Sequence, residues 1–137
     1  MTTLVLSTWI HKKFGEVRWS YTMDDNYNKP ERWAGSREGG TSWLAPLWAC
    51  TDALRTIPSC EKIWLYVDSE YVAEGLHDRS LRRLPDVSET EAALLESAWQ
   101  ELDGAVARRE EEVTWCPYHP EVVLTCHRVM KMSRQGD

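Results

Sequence analysis

One run of the chain decides the fold class. Lys62-Ile63-Trp64-Leu65-Tyr66-Val67 is almost continuously apolar and stops at Asp68. A strand with one wet face alternates apolar and polar side chains, whereas a strand apolar on both faces needs cover on both sides. The run therefore reads as a buried strand inside a layered α/β domain, with a polar group at its C-terminal tip.

The flanking sequence supplies the layers. Thr3-Leu4-Val5-Leu6-Ser7-Thr8-Trp9-Ile10 is rich in β-branched and large apolar residues, and the polar, glycine-containing stretch His11 to Glu16 breaks it as a hairpin turn would. Val17, Trp19, Tyr21 and Met23 then alternate with Arg18, Ser20 and Thr22, the period-two pattern of a half-buried strand. Asp24-Asp25-Asn26-Tyr27-Asn28-Lys29-Pro30 carries turn chemistry, and a shorter third strand spans residues 31–36 before Gly39-Gly40. Thr41 or Ser42 caps a helix whose apolar set is Leu44, Leu47, Trp48, Ala53, Leu54 and Ile57, stopping at Pro58. Pro46 is tolerated there because it falls near the first turn.

After the apolar run, a short helix reads from Ser69 to about Leu76. Ser88-Glu89-Thr90-Glu91 opens a long amphipathic helix, with Leu94, Leu95, Ala98, Trp99, Leu102 and Val106 on one face and Glu96, Gln100, Glu101 and Asp103 on the other. Glu112 to Cys116 reads as a fifth strand. Residues 121–132 read as a last helix, although Val122-Val123-Leu124-Thr125 suits a strand equally well.

A chain of 137 residues can bury one core, so residues 1–137 are taken as a single domain. No apolar run reaches the ~20 residues of a membrane helix, and Met1 to Ser7 lacks the basic and long apolar regions of a secretory signal. The expectation is a protein inside the cell, cytoplasmic or nuclear, without a membrane partner. Cys50, Cys60, Cys116 and Cys126 form no Cys-x-x-Cys pair, and in that compartment they are expected to stay reduced. The formal charge of -6 weighs against wrapping a polyanion unless basic residues gather on one face.

The order of elements, βββ-α-β-α-α-β followed by a possible helix, resembles that of the ribonuclease H-like domains. The resemblance is carried by Ala53-Leu54 at the helix end, by Asp68-Ser69-Glu70-Tyr71-Val72 after the apolar strand, by Leu95-Glu96-Ser97-Ala98-Trp99, and by Val113-Thr114-Trp115 with His119 beyond it. It implies a mixed five-stranded sheet, three antiparallel strands and then crossovers, with helices on both faces.

The same resemblance implies a catalytic site that this chain lacks. The family holds two divalent ions with four carboxylates, because attacking water and leaving oxygen must both be stabilised. Where the family ends its first strand in Asp-Gly-Ser, this chain reads Ser7-Thr8-Trp9; the helix glutamate falls on Pro46; and the carboxylate of the last helix meets Cys126-His127-Arg128-Val129. Asp68 alone matches a carboxylate, and His119 matches the family histidine, both as vestiges. Asp24, Asp25 and Asp52 are read as solvated turn or surface residues. Cys116, His119, Cys126 and His127 are zinc-competent, but adjacent Cys126 and His127 do not readily point at one ion, and an ordinary thiol with exposed histidines is the simpler reading.

What survives is a capacity to bind. Arg79, Arg82 and Arg83 fall where many family members carry a basic handle, and Thr41 matches a position that contacts a DNA backbone. These are the candidate nucleic-acid residues, with pairing of the arginines to Asp86 or Glu89 as the alternative. The eight tryptophans against one phenylalanine supply further anchors, for bases or for a protein. The sequence is thus read as a catalytically inactive ribonuclease H-like module that binds a protein, structured RNA or a hybrid, and needs no cofactor. The alternative is a divergent nuclease using Mg²⁺ or Mn²⁺ to cut RNA in RNA–DNA hybrids. By analogy, degenerate copies of this fold occur in retroelements and in host genes descended from them.

Overall fold

The computed structural model describes residues 2–11, 16–24, 31–39, 41, 43–57, 62–67, 69–109, 112–115 and 121. For residues 2–11, 22, 24, 32, 62 and 112–115 the description is of the backbone alone. The chain is a mixed α/β structure. Its strands are β1 (Thr2–His11), β2 (Glu16–Asp24), β3 (Glu31–Glu38), β4 (Lys62–Val67) and β5 (Glu112–Trp115). Its helices are α1 (Leu44–Thr56), α2 (Glu70–His77) and α3 (Glu89–Ala107). A 3-10 turn at Arg79–Arg82, which the sequence reading did not include, follows α2.

The strands form one sheet in the order β3-β2-β1-β4-β5. The first three make an antiparallel meander, with Leu6 opposite Tyr21 and Tyr21 opposite Trp33. β4 then pairs parallel to β1, Leu6 opposite Val67, and β5 parallel to β4. Parallel neighbours need a crossover, and α1 supplies the first while α2 and α3 supply the second. β3 is left as one edge of the sheet, with Glu31, Ala34, Ser36, Arg37 and Glu38 exposed.

The core lies between the sheet and α1. Leu44 to Thr51 are buried without interruption, so the first two turns of α1 have no wet face, and Leu102, Trp99 and Leu95 of α3 close over the helix. Pro46 sits in the first turn, fully buried, where its missing N–H would be an orphan in any case. Thr41 does the capping: its carbonyl accepts from the Leu44 and Ala45 amides and its Oγ1 from Leu44 at 3.4 Å. Thr51, buried within a helix, satisfies its hydroxyl by donating to the Leu47 carbonyl at 2.9 Å.

The alternation expected in β2 is present: Val17, Trp19 and Tyr21 are buried, and Tyr21 stacks on Trp33 with centroids 5.6 Å apart. Gly35, opposite Trp19 in the register, leaves room for the indole, since a Cβ there would come within 2.5 Å of Trp19 Nε1.

Four expectations change. β4 is fully buried on one face only: Ile63, Leu65 and Val67 are inside, while on the other face Tyr66 is half-buried and Trp64 is 39% exposed. Leu94 is 46% exposed because the buried stripe of α3 runs Leu95, Ala98, Trp99, Leu102, Ala105, and Leu94 lies one position off it. Asp24 is the last residue of β2 rather than a turn residue, paired with Thr3. Asp52 is half-buried rather than solvated, because it accepts a hydrogen bond from Trp19 Nε1 at 2.9 Å. Asp25, Cys60, Cys116 and most of the segment 121–132 lie outside the described residues. Cys50 is buried and free of any disulfide. No described helix is long and apolar enough to cross a membrane.

Two outcomes follow from the core. Gly35→Ala should lower stability by about 1–3 kcal/mol in urea unfolding, because the methyl group and the Trp19 ring need the same space. Burial pushes the Tyr21 hydroxyl up from 10.0 to about 12, the Thr56 side chain offsetting part of that rise and the Asp52 carboxylate adding to it. The unfolded chain ionises first, so this contribution is whole below pH 10 and is lost as pH climbs from 10.0 to about 12. Alkaline unfolding of Tyr21→Phe should therefore show a shallower pH dependence in that window, by up to about 3 kcal/mol.

Candidate functional site

The positions that the ribonuclease H resemblance assigns to metal ligation are not furnished with carboxylates in the described residues. β4 ends at Val67, opposite Leu6, and Ser7 and Thr8 continue β1 from there. Asp24 pairs with Thr3, four residues back along β1 from Ser7, which is about 13 Å at ~3.3 Å per residue. Asp52 is held by the Trp19 indole. Asp68 and His119, and the zinc-competent Cys116, Cys126 and His127, lie outside the described residues. Among the described residues no three His, Cys, Asp or Glu side chains converge as a metal site would require.

The arginines are more informative. Arg82 is only 15% exposed, and each of its three guanidinium nitrogens donates within the fold. NH1 and NH2 donate to the two Asp103 carboxylate oxygens at 2.8 and 3.1 Å, and Nε donates to the Gly75 carbonyl at 2.8 Å. Its plane lies 4.1 Å from the centre of the Trp99 ring. A bidentate pair with a stacked aromatic is the arrangement for which arginine is suited and lysine is not. Arg82 therefore ties the turn after α2 to α3 instead of facing outward.

Trp99 organises the rest. Its Nε1 donates to the Tyr71 hydroxyl at 2.7 Å, and that hydroxyl donates to the Arg82 carbonyl at 2.6 Å. Burial raises the Tyr71 pKa, while the Trp99 N–H and the Arg82 charge pull it back. Trp43, 40% exposed, meets the other edge of Tyr71 with centroids 5.3 Å apart. Gly75 permits the packing, since a Cβ there would sit 2.6 Å from the Trp99 ring. Ser69 caps α2 by accepting from the Val72 amide, and Ser88 caps α3 by accepting from Glu91, so both helix starts are fixed locally.

This knot forms one end of a groove of about 800 Å³ between residues 83–88 and α3. Leu84, Val87, Leu95 and Trp99 make an apolar floor. Arg79 and Arg83 stand on one rim and Glu89 and Glu96 on the α3 side. Arg79 is 81% exposed and reaches Asp103 only at 3.9 Å. Arg83 is exposed and makes no ion pair or hydrogen bond among the described residues. Among the described residues the arginines thus do not pair with Asp86 or Glu89, and the half-buried Thr41 accepts from the Leu44 amide at the start of α1.

Trp99 and Asp103 were not singled out as site residues from the sequence. Their spacing of four on a helix is the signal that would have joined them, because such residues share a face. A second, smaller cleft of about 170 Å³ lies among Trp19, Arg37, Trp48, Asp52 and Glu101, with Arg37 stacked 4.2 Å from the Trp48 ring centre and 3.7 Å from Glu101.

No protein-family model matches the chain, and no curated protein matches it.

Arg82→Ala should cost about 3 kcal/mol in chemical denaturation, since it leaves a carboxylate, a carbonyl and a ring face without their partner. Arg82→Lys should restore less than half of that, because an ammonium cannot make the fork. Recovery of full stability by lysine would mean that charge alone holds the turn.

Proposed function

We propose that the chain is a ribonuclease H-like module that has lost its catalytic carboxylates and works by binding, with a protein as its preferred partner. The observation that carries the reading is the internal capture of Arg82 by Asp103, Gly75 and Trp99. It turns the positive stretch Arg79–Arg83 from a handle for phosphates into one rim of an apolar groove whose other rim is acidic.

The fold assignment is supported by the antiparallel meander followed by parallel crossovers, taken with the Asp-Ser-x-Tyr-Val string at residues 68–72. The loss of catalysis is supported by Ser7, Thr8 and buried Pro46 at positions where the family carries carboxylates. A lone Asp68 among neutral groups would hold Mg²⁺ or Mn²⁺ weakly, since magnesium gives up its water reluctantly and is ordinarily held by several oxygens. The net charge of -6 and the Glu89 and Glu96 rim oppose an extended phosphate track, which favours protein over RNA or hybrid.

The test is a labelled RNA–DNA hybrid titrated with Mg²⁺ and Mn²⁺ at two salt concentrations, read for cleavage and gel shift in the same tubes, with Asp68→Asn alongside. No cleavage is expected from either protein, and a gel shift no stronger than that of Arg79→Ala combined with Arg83→Ala. Cleavage lost in Asp68→Asn would replace the reading with a divergent metal-dependent nuclease. A salt-sensitive shift abolished by the double arginine variant would make nucleic acid the partner.

A further inference from the structure

We infer that the groove between residues 83–88 and α3 receives an amphipathic helix of a partner protein, with an apolar stripe flanked by acidic residues on one side and basic residues on the other. The inference rests on the binding-module reading and names its partner. The α3 side of the groove runs from Glu89 to Asp103, fourteen steps of ~1.5 Å, or about 21 Å, the length of roughly four helical turns. Half-buried Leu84 and Val87 supply most of the apolar surface along that length, with the 4% of Leu95 and of Trp99 that stays exposed at the bottom of the groove, and a helix docks in such a groove through anchors at i, i+3 or i+4, and i+7.

Charge decides the orientation. The side chains of Arg83 on one side, and of Glu89 and Glu96 on the α3 side, form no ion pair or hydrogen bond among the described residues. Arg79 has only the distant Asp103 contact. The groove therefore presents a positive and a negative edge some distance apart, with neutral surface between. An occupant of single sign would meet repulsion from one rim: a nucleic acid from Glu89 and Glu96, a wholly basic helix from Arg79 and Arg83. A segment with opposite flanks satisfies both and fixes its own direction. The floor is ready for it, because the Arg82 fork and the Tyr71 bond already hold Trp99 in one place, and little ordering is left to binding.

The experiment is a selection of phage-displayed 16-residue peptides on the full chain. Enriched peptides are expected to share apolar positions at helical spacing with Asp or Glu along one flank and Lys or Arg along the other. A synthetic peptide of that consensus should lose about tenfold in affinity with Arg83→Glu, equivalent to ~1.4 kcal/mol, and should regain it when its acidic flank is changed to lysine. Ala92→Arg, which fills the groove from an exposed position, should abolish binding while leaving the melting temperature unchanged. Peptides without helical spacing, or peptides indifferent to both substitutions, or no enrichment, would overturn the inference. A hybrid competing with the peptide through Arg79 and Arg83 would overturn it too. Metal-dependent cleavage defeats the module reading itself, so the two failures are told apart by the hybrid assay.

Discussion

The half of the structure beyond β4 depends on where the Trp99 ring can lie. A ring of that size on α3 needs a flat surface to meet, a partner for its N–H and something over its face. Gly75 supplies the first by having no side chain, the Tyr71 hydroxyl the second, and the Arg82 guanidinium the third. Each of these comes from α2 or the turn that follows it, so a single side chain brings together elements more than twenty residues apart. Polar networks of this kind specify one arrangement when every member is satisfied, and here the donor of Trp99, the hydroxyl of Tyr71 and all three guanidinium nitrogens have partners. The groove is a by-product of that knot, since the chain must still travel from Arg83 to the cap at Ser88 before α3 can begin.

The same arrangement bears on the proposed use of the basic stretch. In isolation, three arginines within five residues suggest a contact with phosphate. Once Asp103 holds Arg82 bidentately, one of the three charges is compensated and Arg79 and Arg83 remain at the groove. The proposed association would draw on apolar area with charge as a guide, a different balance from that of a polyanion-binding surface, where charge supplies most of the affinity.

Much of the fold could be read from pattern alone. β2 declared itself through alternation, β4 through its apolar run, and α3 through its stripe and the Ser88 cap, because these signals are local and the structure does not override them. The misreadings have a common cause in tertiary context. Leu94 is apolar and next to the stripe, yet the helix turns it outward; Trp64 is apolar in an apolar strand, yet it stays 39% exposed on the face opposite Ile63 and Leu65. Asp52 carries no sequence mark of burial, and only the approach of Trp19 across thirty-three residues explains it. The candidate site was harder still. Arg82 and Asp103 are twenty-one residues apart, and nothing in the chain distinguishes Arg82 from Arg79 or Arg83 until the fold places one of the three over an indole.

The edge strand β3 has a consequence for company. Its sequence, Glu-Arg-Trp-Ala-Gly-Ser-Arg-Glu, reads the same way in charge from either end. Were a second copy to lay its own β3 antiparallel in full register, Glu31 would face Glu38 and Arg32 would face Arg37, and every charged residue would meet its own sign. Parallel pairing fares no better, since each residue would then neighbour its twin. A charge palindrome along this edge therefore sets the in-register pairing of two copies of β3 against itself, by the order of its charges rather than by bulk.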